Sequence, residues 1–167
     1  MKKGKFLTVF AVFDNETQIK LKNLQEKIFD LGYSGTQTMG IPFHISLGSF
    51  SVDCELDLKN KIKETCKGNM QFDITLNKVN HFSNKVLFIE PEVNEDLRKL
   101  HNLFDNNYAD GFPWHAHATI FCGDENQVVD AKNLLMKSFN PIKAKIVGIQ
   151  MGEFFPTRMI LQDELCK

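Results

Sequence analysis

Apolar positions recur along the chain in two alternating rhythms, one of period two and one near 3.6. The β-branched and aromatic run Phe6 to Phe13 predicts a buried strand, and Asp14 with Asn15 forms a helix-start signal behind it. Leu21, Leu24 and Ile28 fall on one face of the helix that follows, Lys20, Lys22 and Lys27 point elsewhere, and Gly32 supplies a stop. Turn-forming residues fill 34–40. The run from Phe43 to Phe50 then alternates, with His44, Ser46 and Gly48 on one side and Ile45 and Leu47 on the other. A polar strand face in an otherwise core-like position marks a candidate site. Leu58, Ile62 and Cys66 describe a second helix, ended by Gly68 and Asn69, and Phe72 to Val79 reads as a strand.

The second half repeats this order with little identity. Lys85 to Glu90 predicts a strand, and Asn94 caps a helix carrying Leu97, Leu100 and Phe104. A turn-rich stretch, Asp110 to Pro113, leads into a strand with His117 and Thr119 on one face and Ala118 and Ile120 on the other. Val128, Ala131 and Leu135 mark a fourth helix, followed by strands over 144–151 and 158–161. Each half thus reads strand, helix, His-bearing strand, helix, strand. The expected fold is α+β, with two pseudosymmetric lobes of antiparallel sheet and outer helices around a central cleft. Residues 1–167 form one bilobal domain, with repeated halves at about 1–82 and 83–167. The histidines lie 73 positions apart, and at that offset residues 84 and 85 match 11 and 12, so the repeat needs a small insertion or deletion.

Composition narrows the function classes. A 43% hydrophobic fraction with fifteen phenylalanines describes a folded globule. Twenty basic against 21 acidic residues give a net charge of -1, and only Arg98 and Arg158 are arginines, so no broad polyanion-binding surface is evident. The basic start runs into the first strand without an export-signal pattern, which makes the cytoplasm the expected location. Cys54, Cys66, Cys122 and Cys166 are widely spaced and read as free thiols. No H-E-x-x-H element, carboxylate cluster, P-loop or dinucleotide-binding glycine pattern is present, so neither metal nor cofactor is expected.

The chemistry concentrates in His44-Ile45-Ser46-Leu47 and His117-Ala118-Thr119-Ile120. Each pattern places an imidazole and a hydroxyl two residues apart on one strand face, within reach of one phosphate. A solitary His-x-Thr is common and usually structural; two in corresponding halves are not.

These residues resemble the two-histidine phosphoesterase superfamily, which includes 2′-5′ RNA ligase-like and 2′,3′-cyclic nucleotide phosphodiesterase proteins. Its pattern of hydrophobic-His-hydrophobic-Ser/Thr-hydrophobic is matched by Phe43-His44-Ile45-Ser46-Leu47 and by Ala116-His117-Ala118-Thr119-Ile120. The resemblance implies a metal-independent cleft in which His44 and His117 transfer protons while Ser46 and Thr119 bond phosphate oxygens. Opposed general base and acid suit that chemistry, and the sequence alone does not divide the two roles. The implied partner is a nucleotide or RNA end carrying a 2′,3′-cyclic phosphate, which hydrolysis would open to a phosphomonoester. A 2′-5′ RNA phosphodiesterase or ligase, and an RNA-end-binding protein without catalysis, are the alternatives.

Neighbouring residues are expected to touch substrate in part. Phe43 and Trp114 either stack on a base or pack between lobes. His115 shares the strand face of His117, Gly48 either admits phosphate closely or serves sheet geometry, and Arg158 can reach phosphate from a terminal hairpin. His81 and His101 read as surface or structural residues. The expected state is a monomer away from the membrane.

Overall fold

The computed structural model describes residues 4–109 and 111–167. Elements follow in the order β1 (Phe6–Phe13), α1 (Asn15–Phe29), β2 (His44–Ser51), α2 (Glu55–Gly68), β3 (Phe72–Phe82), β4 (Val86–Pro91), α3 (Glu95–Leu103), β5 (Ala118–Cys122), α4 (Glu125–Met136), β6 (Ile142–Phe154) and β7 (Arg158–Glu164). A short 3-10 turn, Val52–Cys54, joins β2 to α2. The fold is α+β, as the sequence predicts.

Side-chain caps start the helices where the pattern places them. Asp14 accepts from the Thr17 amide, Asn94 from that of Leu97, and Asp124 forms a reciprocal capping box with Gln127. Leu21 and Ile28 of α1, Leu58 and Ile62 of α2, Leu97 and Leu100 of α3, and Val128, Ala131 and Leu135 of α4 are all buried against the sheet. Gly32, at φ 90°, turns the chain after α1, which a side chain would resist.

The seven strands form one antiparallel sheet in the order β2-β1-β6-β3-β4-β5, with β7 on β6. Strand β6 is the bridge. Its first residues, Ile142 to Ile146, pair with β3, and Ile146 to Phe154 pair with β1. A bulge between Val12 and Phe13 marks the changeover. The last strand of the first half therefore pairs with β4 of the second, and β6 of the second pairs with β1 of the first.

The helices cover one sheet face, where Leu7, Val9, Ala11 and Phe13 of β1 join the main core. On the other face Phe10, Val12 and Phe154 form a smaller apolar cluster with Phe6 and Ile41. That second cluster floors the cleft.

Several boundaries differ from the sequence reading. β3 extends through Asn80 and His81 to Phe82, and β6 continues past Gly152 to Phe154. β7 runs on to Glu164, whereas His117 stands just before β5, which opens at Ala118. The expected turn over 110–113 begins on a residue outside the described ones. No helix among the described residues is long and apolar enough to cross a membrane.

Candidate active site

The site is built on two matched strand pairs. In β1 and β2, Phe10 lies opposite Ser46 and Val12 opposite His44; in β4 and β5, Phe88 lies opposite Thr119 and Ile89 opposite Ala118. Cross-strand partners point to the same face. Ser46 with Phe10 thus corresponds to Thr119 with Phe88. The register relates 10 to 88, an offset of 78 where the histidines are separated by 73, so the first strand pair spans five more residues of chain than the second.

Each imidazole is held in the same way. His44 Nδ1 lies 2.8 Å from the Pro42 carbonyl, and His117 Nδ1 lies 2.6 Å from the His115 carbonyl. A carbonyl can only accept, so each Nδ1 carries the proton and Nε2 is the atom left to exchange one. Phe10 packs against His44 with ring centroids 4.2 Å apart, and His117 meets Phe82 edge-on at 4.9 Å and Phe88 at 5.2 Å.

His44, Ser46, Thr119 and Phe43 line one cavity of about 770 Å³, together with Phe6, Thr8, Lys22, Gln25, residues 36–42, Cys122, Phe154 and Phe155. His117 is not among these lining residues; its ring packs against Phe82 and Phe88, and its charge acts on His44. Burial holds the His44 pKa down at about 4 against the opposing Pro42 hydrogen bond, and the nearby charge of His117 lowers it further. The His44 ring is therefore neutral at pH 7.

The remaining candidate residues divide by what holds them. Gln18 of α1 clamps Phe43: its Nε2 donates to the Phe43 carbonyl at 2.8 Å, and its Oε1 accepts from the Phe43 amide at 2.9 Å. Trp114 Nε1 donates to the Ser46 carbonyl at 2.8 Å while the indole lies flat on His101, centroids 3.8 Å apart. Buried His101 in turn places Nδ1 2.9 Å from the Leu47 carbonyl. Trp114 is accordingly a strut beneath Ser46, with one ring face already occupied. At Gly48 a Cβ would collide with the Phe104 carbonyl and come 3.1 Å from that of Asn106, so its missing side chain serves the approach of the chain after α3. Arg158 contacts Glu55 at 3.1 Å and Glu153 at 3.3 Å, and Lys5 also bonds Glu153. The guanidinium is engaged by carboxylates and is absent from the cavity lining.

Beyond the two motifs, further side chains lie beside the Phe82 and Phe88 rings that border His117. His115 Nε2 lies 3.1 Å from Glu90 Oε1, an ion pair when the imidazole is protonated. Glu90 also accepts from Asn80 at 3.0 Å and contacts Lys78 at 3.4 Å. Burial pushes its carboxyl pKa up, yet the Asn80 and Lys78 hydrogen bonds, aided by the charges of Lys78 and His115, hold it below the usual value. Phe10, Phe82, Phe88 and Glu90 carry no motif; only strand alternation joined to cross-strand register could have found them. Among the described residues no group of three or more His, Cys, Asp or Glu side chains is arranged to hold a metal ion.

No curated protein sequence matches the chain significantly. Solved structures do match it across nearly their whole lengths. Escherichia coli LigT in its apo form superposes with a TM-score of 0.65 at 14% identity, covering 98% of each chain. LigT complexed with 3′-AMP gives 0.64 at 15% identity, over 99% of this chain and 100% of that one. TT0787 of Thermus thermophilus gives 0.63 at 13%, over 96% and 97%. At such identities these likenesses show the shared fold. Residues 21–153 match the sequence pattern of the 2′-5′ RNA ligase superfamily, a span that takes in both His-x-Ser/Thr motifs and most of the sheet, and the chain belongs to that superfamily.

Proposed function

We propose that this protein is a metal-independent phosphoesterase that hydrolyses a 2′,3′-cyclic phosphate at a nucleotide or RNA end. The observation that carries this reading is the pair of imidazoles with Nδ1 tied to a carbonyl two residues upstream, each followed by a hydroxyl on the cleft face. The equivalent register supports reading 1–82 and 83–167 as repeated halves of one bilobal domain. Escherichia coli LigT, a protein of the same fold, has been crystallised with 3′-AMP, a nucleotide phosphomonoester of the kind this hydrolysis releases.

His44 is the neutral partner at pH 7 and takes the proton from the attacking water. His117, in its protonated form, delivers a proton to the departing ribose oxygen. Ser46 and Thr119 donate to the non-bridging phosphate oxygens as negative charge builds on them. Water adds to phosphorus, one ring P–O bond breaks, and the product carries a free hydroxyl beside a phosphomonoester. One proton enters through His44 and one leaves through His117, so the pair ends with its charge states exchanged and resets through solvent.

The test is product formation from a panel of 2′,3′-cyclic nucleotides in chelator, with wild type beside H44A and H117A. Each variant is expected to lose on the order of 10² to 10⁴ in rate. A folded wild type that releases no product from any of them would overturn the assignment.

A further inference from the structure

The two halves fix the carbonyls that orient their imidazoles by unlike devices. On the His44 side the accepting carbonyl belongs to Pro42, whose ring locks its own φ. On the His117 side it belongs to His115, a residue with no such constraint. His115 instead reaches Glu90, 3.1 Å away. Glu90 is set two residues beyond Phe88, as Val12 is set two beyond Phe10, so the carboxylate stands where the first half has an apolar side chain.

Glu90 is itself well anchored. Its side chain is 20% exposed, Asn80 donates to it at 3.0 Å, and Lys78 lies 3.4 Å away. Asn80 is fixed in turn because its Oδ1 accepts from the His81 amide at 2.9 Å. His115 also meets Phe82 at 5.2 Å and Phe88 at 5.8 Å, the same two rings that border His117. The geometry points to Glu90 as a positioning residue: through His115 it holds the carbonyl that orients the His117 imidazole, doing by side-chain contact what Pro42 does by ring closure. This inference rests on the proposed role of His117.

The order of events is mechanical. Without the carboxylate, the backbone at residue 115 gains rotational freedom, the carbonyl leaves the Nδ1–H, and the ring samples orientations unsuited to proton delivery. Substrate binding by Ser46, Thr119 and the cleft walls continues. Misplacement of one proton donor without loss of binding lowers kcat and leaves KM nearly unchanged.

The experiment uses the full chain as E90Q, H115P and the double variant. Glutamine keeps the size of Glu90 and an acceptor for Asn80 while removing the charge that His115 meets; proline at 115 installs the first half's device. E90Q is expected to lower kcat about tenfold to a hundredfold with KM changed less than about threefold. In the H115P background the same E90Q change is expected to have little further effect. Nitrogen-15 shifts of the histidine rings, recorded at high pH so that the neutral rings are observed and with His117 assigned by H117A, supply a reading independent of turnover: wild type shows Nδ1 protonated, and E90Q shows mixed tautomers. An unchanged kcat and an unchanged His117 spectrum in folded E90Q would overturn the inference. If H115P does not fold, E90Q decides by these two readings. Wild-type inactivity on all cyclic nucleotides would sink the proposed reaction instead, and the ring spectra would still report on Glu90.

Discussion

His44 couples the proposed catalysis to stability through a single ring. Its pKa lies at about 4 in the folded protein against an ordinary 6.5, so between those values the unfolded chain binds a proton that the native state refuses. Stability therefore rises with pH across this window and is lost as the pH falls through it. Acidification from about 6.5 to 4 is expected to cost on the order of 1–3 kcal/mol from this group alone. Urea unfolding of wild type and His44→Gln at both ends of the window checks it, the variant showing the shallower decline. The same ring sets the acid limb of kcat/KM, which is expected to fall only as the pH drops toward 4. Gly48 supplies a purely structural counterpart. Its alanine variant must displace the backbone at Phe104 and is expected to lose about 1–3 kcal/mol, read as a lower thermal midpoint.

At the scale of elements, short polar contacts hold the strands of the candidate site in register. The β3–β4 hairpin closes through Lys85 N donating to the Phe82 carbonyl at 2.9 Å, with Ser83 and Asn84 both at positive φ. Two such residues form the turn whose twist suits a hairpin, and Asn-Gly is its preferred pair. The S83N/N84G variant is expected to gain a few tenths of a kcal/mol up to about 1, measured by equilibrium unfolding. The Gln18 clamp on Phe43 works across the cleft wall, because it ties α1 to the segment that presents the Pro42 carbonyl. Q18A is expected to lose about 1–2 kcal/mol and to reduce turnover as that segment loosens.

Helix positions were legible because Asp14 and Asn94 are strong caps and the apolar faces recur at regular spacing. The His-bearing segments were legible through alternation. Strand lengths were less so: Asn80 and His81 look like a loop until Glu90 gives Asn80 a partner on the cleft face, and Gly152 looks like a strand end until β1 pairs through it. The setting of Trp114 was hidden for a similar reason. Its flat contact with His101 joins segments brought together only by the folded sheet, and nothing local marks it. Glu90 likewise has no motif of its own, since its meaning comes from the strand beside it.

At the scale of the whole molecule, the order β2-β1-β6-β3-β4-β5 leaves neither sequence half with a complete sheet. Residues before the Ser83–Asn84 turn supply β1, β2 and β3, yet β3 is separated from β1 by β6, which lies nearly sixty residues beyond that turn. The arrangement makes the molecule a lock of two interleaved chains joined by one short link. Cutting that link should release pieces that are each unfolded when alone and that combine one to one when mixed. Heteronuclear spectra of fragments 1–83 and 84–167, separate and together, read this directly. Turnover should return only with the mixture, because His44 arrives on one piece and His117 on the other. The chain therefore has the makings of a two-part reporter whose signal is the meeting of its halves.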